Sequence, residues 1–242
     1  MNEDQKRAAG VAALAEVRSG MTLGLGTGST VRHFLEALGD ALAQGTLKDI
    51  RGVPTSGDTA TRARTLGIPL LELHEAGELD LAVDGADEVT PELDLVKGLG
   101  GALLREKMVV QAARRFVVIA DASKRVPRLG TRSPLPVEVV PFGWQAHLPY
   151  FRSLGADPVL RRVERDADAC RTDNGNLVVD LAFPDGIPDP RALDRALAQR
   201  AGVVETGLFL GVAQRCYLAT EAGVERMDAP DRGRPPLNGS MA

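Results

Sequence analysis

Three features of this chain predict an α/β fold: short apolar runs alternate with amphipathic helical stretches, glycine-rich turns follow the runs, and the rhythm changes after the proline-marked segment TRSPLP at 131–136. The first part reads as a parallel sheet with helices on both faces. The second reads as a smaller α+β domain.

Residues 3–18 open the chain as an amphipathic helix, with Val11, Leu14, Ala15 and Val17 at helical spacing and Gly20 as its stop. An apolar run at 21–25 leads into the turn GLGTGST (24–30), after which Ser29 is placed to cap a helix striped by Val31, Phe34, Leu35, Leu38 and Leu42. The alternation recurs in a run at 50–56, a helix at 59–66, and the apolar runs PLLEL (69–73) and LDLAV (79–83). A helical stretch at 101–114 and the β-rich run RFVVIAD (115–121) follow. The polar motifs therefore fall at strand ends, where open α/β sheets bind their ligands.

Beyond residue 134 the order is strand (137–140), helix (144–154), strand (157–163), strand (176–182), helix (190–200) and strand (203–210), a β-α-β-β-α-β, ferredoxin-like succession. An Asn-Gly turn in TDNGN (172–176) suits the connection between the middle strands. Residues 1–133 and 211–226 are assigned to the first domain and 134–210 to the second, with 212–224 returning to the first sheet and 227–242 forming an extended tail.

Composition excludes several classes. A chain of 242 residues can bury a sizeable core. Its 29 Lys and Arg against 33 Asp and Glu give a net charge of −4 with no basic block, which argues against nucleic acid and for a small-molecule partner. Cys170 and Cys216 fit neither a disulfide framework nor a metal spacing. The charged N-terminal stretch lacks a secretory signal's apolar centre and no run is long enough to span a bilayer, so a cytoplasmic location without membrane contact is expected. His33, His74 and His147 are scattered, so neither a metal nor another cofactor is expected.

Four motifs carry candidate chemistry. In GLGTGST the residue completing a dinucleotide fingerprint is Ser29 instead of glycine, so the turn reads either as a structural bend or as an anion cradle in which Thr27, Ser29 and Thr30 offer hydroxyls beside helix-start N–H groups. In DGADE (84–88) a buried strand would deliver Asp84, and Gly85 would let Asp87 face the same way; the alternative is a plain turn with a helix cap, and Glu88 is read as solvated. Lys97, ahead of glycines in KGLGG (97–101), is either a surface charge or the cation that two close carboxylates require. Glu106 in the helical triplet REK is either part of an exposed ion-pairing face or a lone carboxylate aimed inward. Their joint occurrence, in this order and at strand ends, favours the chemical readings. Lys6 and Lys124 are further cations for an anion, whereas Ser56 and Asp58 in PTSGDT carry no assignment.

Together GTGST (26–30), VDGADE (83–88), KGLGGALLREK (97–107), IADASK (119–124), LPVEV (135–139), TDNGN (172–176) and GLF (207–209) closely resemble the A-type ribose-5-phosphate isomerases over most of the chain. The resemblance implies a Rossmann-like catalytic domain and interconversion of D-ribose 5-phosphate and D-ribulose 5-phosphate in the non-oxidative pentose phosphate pathway; because a small added domain often serves assembly, a homodimer or homotetramer is expected. It implies Glu106 as the base, with Asp84, Asp87 and Lys97 also catalytic. Thr27, Gly28, Ser29, Thr30, Asp84, Gly85, Ala86, Asp87, Lys97, Gly98, Leu99, Gly100 and Lys124 would line the substrate. One departure is Leu99, where the family commonly has glycine, so a backbone contact tolerating a side chain is assumed there. Competing readings are a coenzyme A transferase-like enzyme with a nucleophilic glutamate and a non-catalytic sugar-phosphate-binding effector domain. Only about twenty residues precede the first strand, which is too few for such a regulator's DNA-binding module.

Overall fold

The computed structural model describes residues 3–163 and 168–230. In chain order the elements are α1 (Glu3–Ala13), β1 (Thr22–Leu25), α2 (Ser29–Ala43), β2 (Arg51–Pro54), α3 (Gly57–Thr65), α4 (Leu73–Ala76), β3 (Leu81–Asp84), β4 (Glu88–Val89), β5 (Leu95–Val96), α5 (Leu103–Gln111), β6 (Phe116–Asp121), β7 (Leu135–Val139), α6 (Leu148–Ser153), β8 (Asp157–Leu160), β9 (Leu177–Ala182), α7 (Pro190–Ala198), β10 (Val203–Thr206), β11 (Leu208–Phe209), β12 (Arg215–Thr220) and β13 (Gly223–Asp228). Contacts divide the chain into two units, and the backbone passes between them after residues 86, 104, 124 and 211. Residues 87–104 and 125–133 thus group with the second unit, whereas the sequence pattern had placed them in the first.

The described part of the first unit comprises 3–86, 105–124 and 212–230. Its sheet runs β13-β12-β6-β3-β1-β2, with every neighbour parallel except the β12–β13 pair. β1, β3 and β6 are buried along their whole length, which is why they read as unbroken apolar runs without a period of two. Leu23, Leu25, Leu81, Val83, Val117 and Ile119 share one core with Phe34, Leu35 and Leu38 of α2, the stripe that the helical spacing predicts. Strand order reverses between β1 and β3, because β2 lies outward of β1 while β6 and β12 extend the other way. The carboxyl ends of β1 and β3 therefore form a topological switch point, the usual place for a ligand in an open α/β sheet.

Three local expectations change. PLLEL forms no strand: the segment meets β2 only at the bridge Gly52↔Leu70, since Pro69 has no N–H and contributes its carbonyl alone to Gly52. The N-cap of α2 is Gly28, not Ser29, which already has helical conformation. Residues 227 and 228, expected in a tail, belong to β13, where Met227 pairs with Cys216 and Asp228 with Arg215. Of the rest of the expected tail, 229 and 230 follow β13 without regular structure and 231–242 lie outside the described residues.

A buried ion cluster ties the ends of this unit together. Glu16 accepts hydrogen bonds from Arg115 at 2.7 Å, from the Tyr217 hydroxyl at 2.7 Å and from Arg215, which also donates to Asp228 at 2.6 Å. Burial pushes the Glu16 carboxyl up, but the bonds from Tyr217, Arg215 and Arg115 outweigh it and hold the group at about 2, against an ordinary 4.5.

The described part of the second unit comprises 87–104, 125–163 and 168–211. Its antiparallel sheet, β10-β7-β9-β8, with α6 and α7 between strands, is the β-α-β-β-α-β succession expected from the pattern. Leu135, Val137, Val139, Phe151, Val179, Leu181 and Leu197 form its core. A second small sheet joins β11, β5 and β4, three two-residue strands too short to leave a periodic signal. TDNGN makes its tight turn just ahead of β9, with Thr172 and Asn176 paired through the backbone. Its side chains also satisfy a buried acid. Thr172 Oγ1, Asn174 Nδ2 and Asn176 Nδ2 donate at 2.9, 3.1 and 2.9 Å to Oε1 of Glu138, which is fully buried in β7.

Because the folded pKa of Glu16 lies below the unfolded value, its stabilisation is complete above about pH 4.5 and disappears as pH falls toward 2. Glu16→Gln is expected to lose on the order of 2 kcal/mol at neutral pH. Urea unfolding of both proteins as a function of pH should show this gap narrowing below about pH 4.5; a gap that stays constant with pH would contradict the assignment.

Candidate functional site

In the first unit the switch point is organised around Asp84. This carboxylate ends β3 at 2% exposure, and its Oδ1 accepts the N–H of Thr27 at 3.0 Å and that of Gly85 at 2.7 Å. Gly26 makes room for it, because a Cβ at that position would stand 2.2 Å from Asp84 Cγ and Oδ1. The first glycine of GTGST is therefore required by a carboxylate from the neighbouring strand. Ser29 and Thr30 begin α2, whose first-turn N–H groups face out of the helix end.

Thr27 departs from its expected role. Its hydroxyl turns inward to Thr55 Oγ1 at 2.7 Å, Ser56 Oγ at 2.9 Å and Thr59 Oγ1 at 3.2 Å. Thr59 donates onward to the carbonyl of Gly26 at 2.8 Å, and Ser56 caps α3 by accepting the Thr59 N–H at 3.1 Å. Each hydroxyl has a single proton, and here those protons knit the glycine turn to the loop after β2. Of the three hydroxyls expected around an anion, Ser29 and Thr30 remain. Ser56, unassigned in the sequence, belongs to this support, and its Ser-x-x-Thr spacing ahead of a helix was the available signal. Asp58 instead stands 3.8 Å from Arg32 at the surface.

Glu106 is 4% exposed on α5, while Arg105 and Lys107 on either side are half-buried. The exposed ion-pairing reading fails on that burial. Lys124 ends a single 3-10 turn, Ala122–Lys124, following β6, and is half-buried. That turn is anchored by Asp121, whose Oδ1 accepts the Ser123 N–H at 3.0 Å. Lys6 is committed to Glu3 at 2.6 Å.

In the second unit Lys97 is 2% exposed, with its ammonium 5.4 Å from the Phe209 ring centroid, so it is no surface charge. The loop after it is fixed at its start by Lys97 N–H on the Gly207 carbonyl at 2.9 Å, and Asp87 Oδ2 accepts the Leu99 N–H at 2.9 Å. Gly98 adopts φ 101°, a left-handed conformation that disfavours a side chain, and a Cβ there would also lie 2.7 Å from Leu103. Leu99 has no such conformation. Its side chain is 39% exposed, so leucine fits at the position where the resemblance led to an expectation of glycine.

Glu88 corrects the sequence reading most sharply. It is fully buried, and its carboxylate accepts N–H groups of Gly130 at 2.5 Å, Arg132 at 2.6 Å and Ser133 at 2.8 Å. The TRSPLP segment is thereby bound to β4. The sequence offered no signal, since the donors are main-chain groups more than forty residues away. Among the described residues no three His, Cys, Asp or Glu side chains are grouped to hold a metal ion, and no helix is long and apolar enough to cross a membrane. Cys170 and Cys216 are free thiols, the latter buried.

Within the first unit, a buried carboxylate and a glycine turn meet at a helix start at the switch point, the arrangement of α/β proteins that bind a small anion there. Residues 51–223 match the family model described as ribose 5-phosphate isomerase A (phosphoriboisomerase A). A ribose-5-phosphate isomerase A of Roseiflexus castenholzii is 51% identical over 229 residues, covering 95% of this chain and 97% of its own, and one from Caulobacter vibrioides is 52% identical over 231 residues, covering 93% and 98%. Among solved structures, a D-ribose-5-phosphate isomerase in complex with phospho-erythronic acid superposes with a TM-score of 0.91 at 39% identity, covering 94% of this chain and all of that one. The enzyme of Methanocaldococcus jannaschii gives 0.89 at 37% identity, again with coverage of 94% and 100%. The chain belongs to the ribose 5-phosphate isomerase A family. The transferase-like and effector-domain readings are left without support.

Replacing Glu88 by Gln turns one acceptor into a donor facing main-chain N–H groups, and a loss on the order of 2 kcal/mol is expected. Thermal unfolding should show a drop of about 4–8 °C. An unchanged midpoint would mean that the carboxylate is solvated after all.

Proposed function

We propose that the chain interconverts ribose 5-phosphate and ribulose 5-phosphate through a cis-enediolate, as an isomerase of the non-oxidative pentose phosphate pathway. The observation that carries the base assignment is the burial of Glu106: an acid at 4% exposure on α5 serves no solvated face.

In the open-chain aldose, Glu106 takes the proton from C2, and the electrons of that C–H bond form the C1–C2 double bond as the C1 carbonyl oxygen becomes an alkoxide. The same carboxylic acid returns the proton to C1, while the proton of the C2 hydroxyl passes to O1, leaving the C2 ketone. Lys97 supplies the cation for the charge that develops on oxygen, aided by N–H groups of the Gly98–Gly100 loop. Asp84 and Asp87 accept sugar hydroxyls and assist ring opening or the O2-to-O1 proton shift. Asp84 suits this role because two backbone N–H groups already hold one of its oxygens in place. The phosphate is assigned to the start of α2, at Ser29 and Thr30 with the turn Thr27–Gly28, and to Lys124. Gly85 and Ala86 approach the sugar through their backbone. A cytoplasmic homodimer or homotetramer is the assembly proposed, without nucleic acid or membrane partners.

A coupled assay on ribose 5-phosphate tests the assignment. Glu106→Gln is expected to lower kcat by ~10² or more with KM within a few-fold; turnover near that of the unaltered enzyme would remove Glu106 from the mechanism. Ribose without its phosphate should be a far poorer substrate, and equal use of both sugars would overturn the anion assignment to the α2 start.

A further inference from the structure

We propose that Arg161, held by Asp180, is a positioning residue for this reaction, aiming the backbone N–H groups of Leu99 and Gly100 in the lysine-glycine loop; the proposal rests on the isomerase reading. The guanidinium divides its edges between a carboxylate and the loop. Nε donates to Asp180 Oδ2 at 2.8 Å and Nη2 to Oδ1, forming a two-point ion pair. Nη1 donates to the carbonyl oxygens of Gly98 and Leu99, both at 2.9 Å. The arginine and aspartate side chains are only 13% and 19% exposed, so this arrangement is shielded from solvent.

The consequence for the loop follows from peptide geometry. Its peptides are trans, so each C=O and the N–H of the next residue point in opposite directions. Drawing the Gly98 carbonyl toward Arg161 sends the Leu99 N–H the other way, and that N–H is found on Asp87 Oδ2 at 2.9 Å. Drawing the Leu99 carbonyl toward Arg161 likewise turns the Gly100 N–H away from the guanidinium, as a donor for an oxygen that gains negative charge. Without this clamp the Leu99 carbonyl loses its guanidinium donor and the Leu99–Gly100 peptide, between the left-handed Gly98 and Gly101, can rotate, whereas the Gly98 carbonyl keeps the Gly101 N–H at 3.0 Å.

Only arginine can span these partners. Its planar fork presents one edge to a carboxylate while the remaining nitrogen reaches two carbonyls, whereas a lysine ammonium offers no such fixed geometry. Asp180 keeps the guanidinium oriented and neutralises it, so its field adds no second cation to the one at Lys97. Arg161 does not touch substrate in this scheme; it acts through the loop.

The test combines kinetics, chemical rescue and amide exchange on Arg161→Ala, Arg161→Lys and Asp180→Asn. Arg161→Ala is expected to lower kcat by about 30- to 100-fold while KM moves less than about threefold, since the lost interaction belongs to the transition state. Arg161→Lys should recover little of it and Asp180→Asn should fall between. Guanidinium ion at a sub-denaturing concentration should restore at least about tenfold in kcat to Arg161→Ala and nothing to the unaltered enzyme, an effect that a merely structural role would not produce. Unchanged kcat in Arg161→Ala, or a fall in kcat that tracks thermal stability and resists guanidinium, overturns the proposal. If the unaltered protein fails to turn over ribose 5-phosphate, the isomerase reading falls. The clamp is then judged by amide exchange at Leu99 and Gly100, which must accelerate in Arg161→Ala and is refuted by exchange identical to the parent.

Discussion

The switch point depends on one contact: the Asp84 carboxylate lies against Gly26 and accepts the N–H groups of Thr27 and Gly85. Burying a carboxylate costs several kcal/mol unless its oxygens are satisfied. Here the donors are main-chain groups of two turns that must exist anyway to end β1 and β3. The acid therefore locks those turns together, and the turns hold it in one orientation. The glycine and the aspartate are two halves of a single steric and electrostatic solution, although 58 positions separate them.

The same device recurs throughout the molecule. Glu88 is held by three backbone N–H groups, Glu138 by a threonine and two asparagines, Asp87 by the Leu99 amide and Asp121 by the Ser123 amide. Neutral donors hold an acid in place without adding a counter-charge. Glu16 marks the contrast. It sits among Arg115, Arg215 and Tyr217, where firm attachment of the C-terminal strands is the purpose and charge cancellation is harmless. The Arg161–Asp180 pair combines both strategies, with an ion pair whose spare donor holds two neutral carbonyls.

Hydrophobic periodicity and the glycine turns made most of the fold legible. The α2 stripe, the unbroken runs of β1, β3 and β6, and the β-α-β-β-α-β succession are each written in consecutive residues, because local spacing decides which side chains can share a face. The failures have physical causes as well. PLLEL has strand composition, but Pro69 cannot donate to a ladder. β4, β5 and β11 are two residues each, shorter than any period, and their partners lie far along the chain. The boundary between units was misread because the chain passes between them four times, and composition does not change at each passage.

By itself the sequence determined the class of fold and the family resemblance, since DGADE, KGLGG and REK state the identity and order of their groups. Tertiary structure decided which of those groups are buried and what holds them. It turned the Thr27 hydroxyl inward to Thr55, Ser56 and Thr59, buried Glu88 under a distant loop, and brought Arg161 to the Gly98 and Leu99 carbonyls. Such outcomes escape a linear reading because the donors are largely main-chain N–H groups and the acceptors often main-chain carbonyls. Every residue possesses these, so their pairing is set by how strands and loops meet in space.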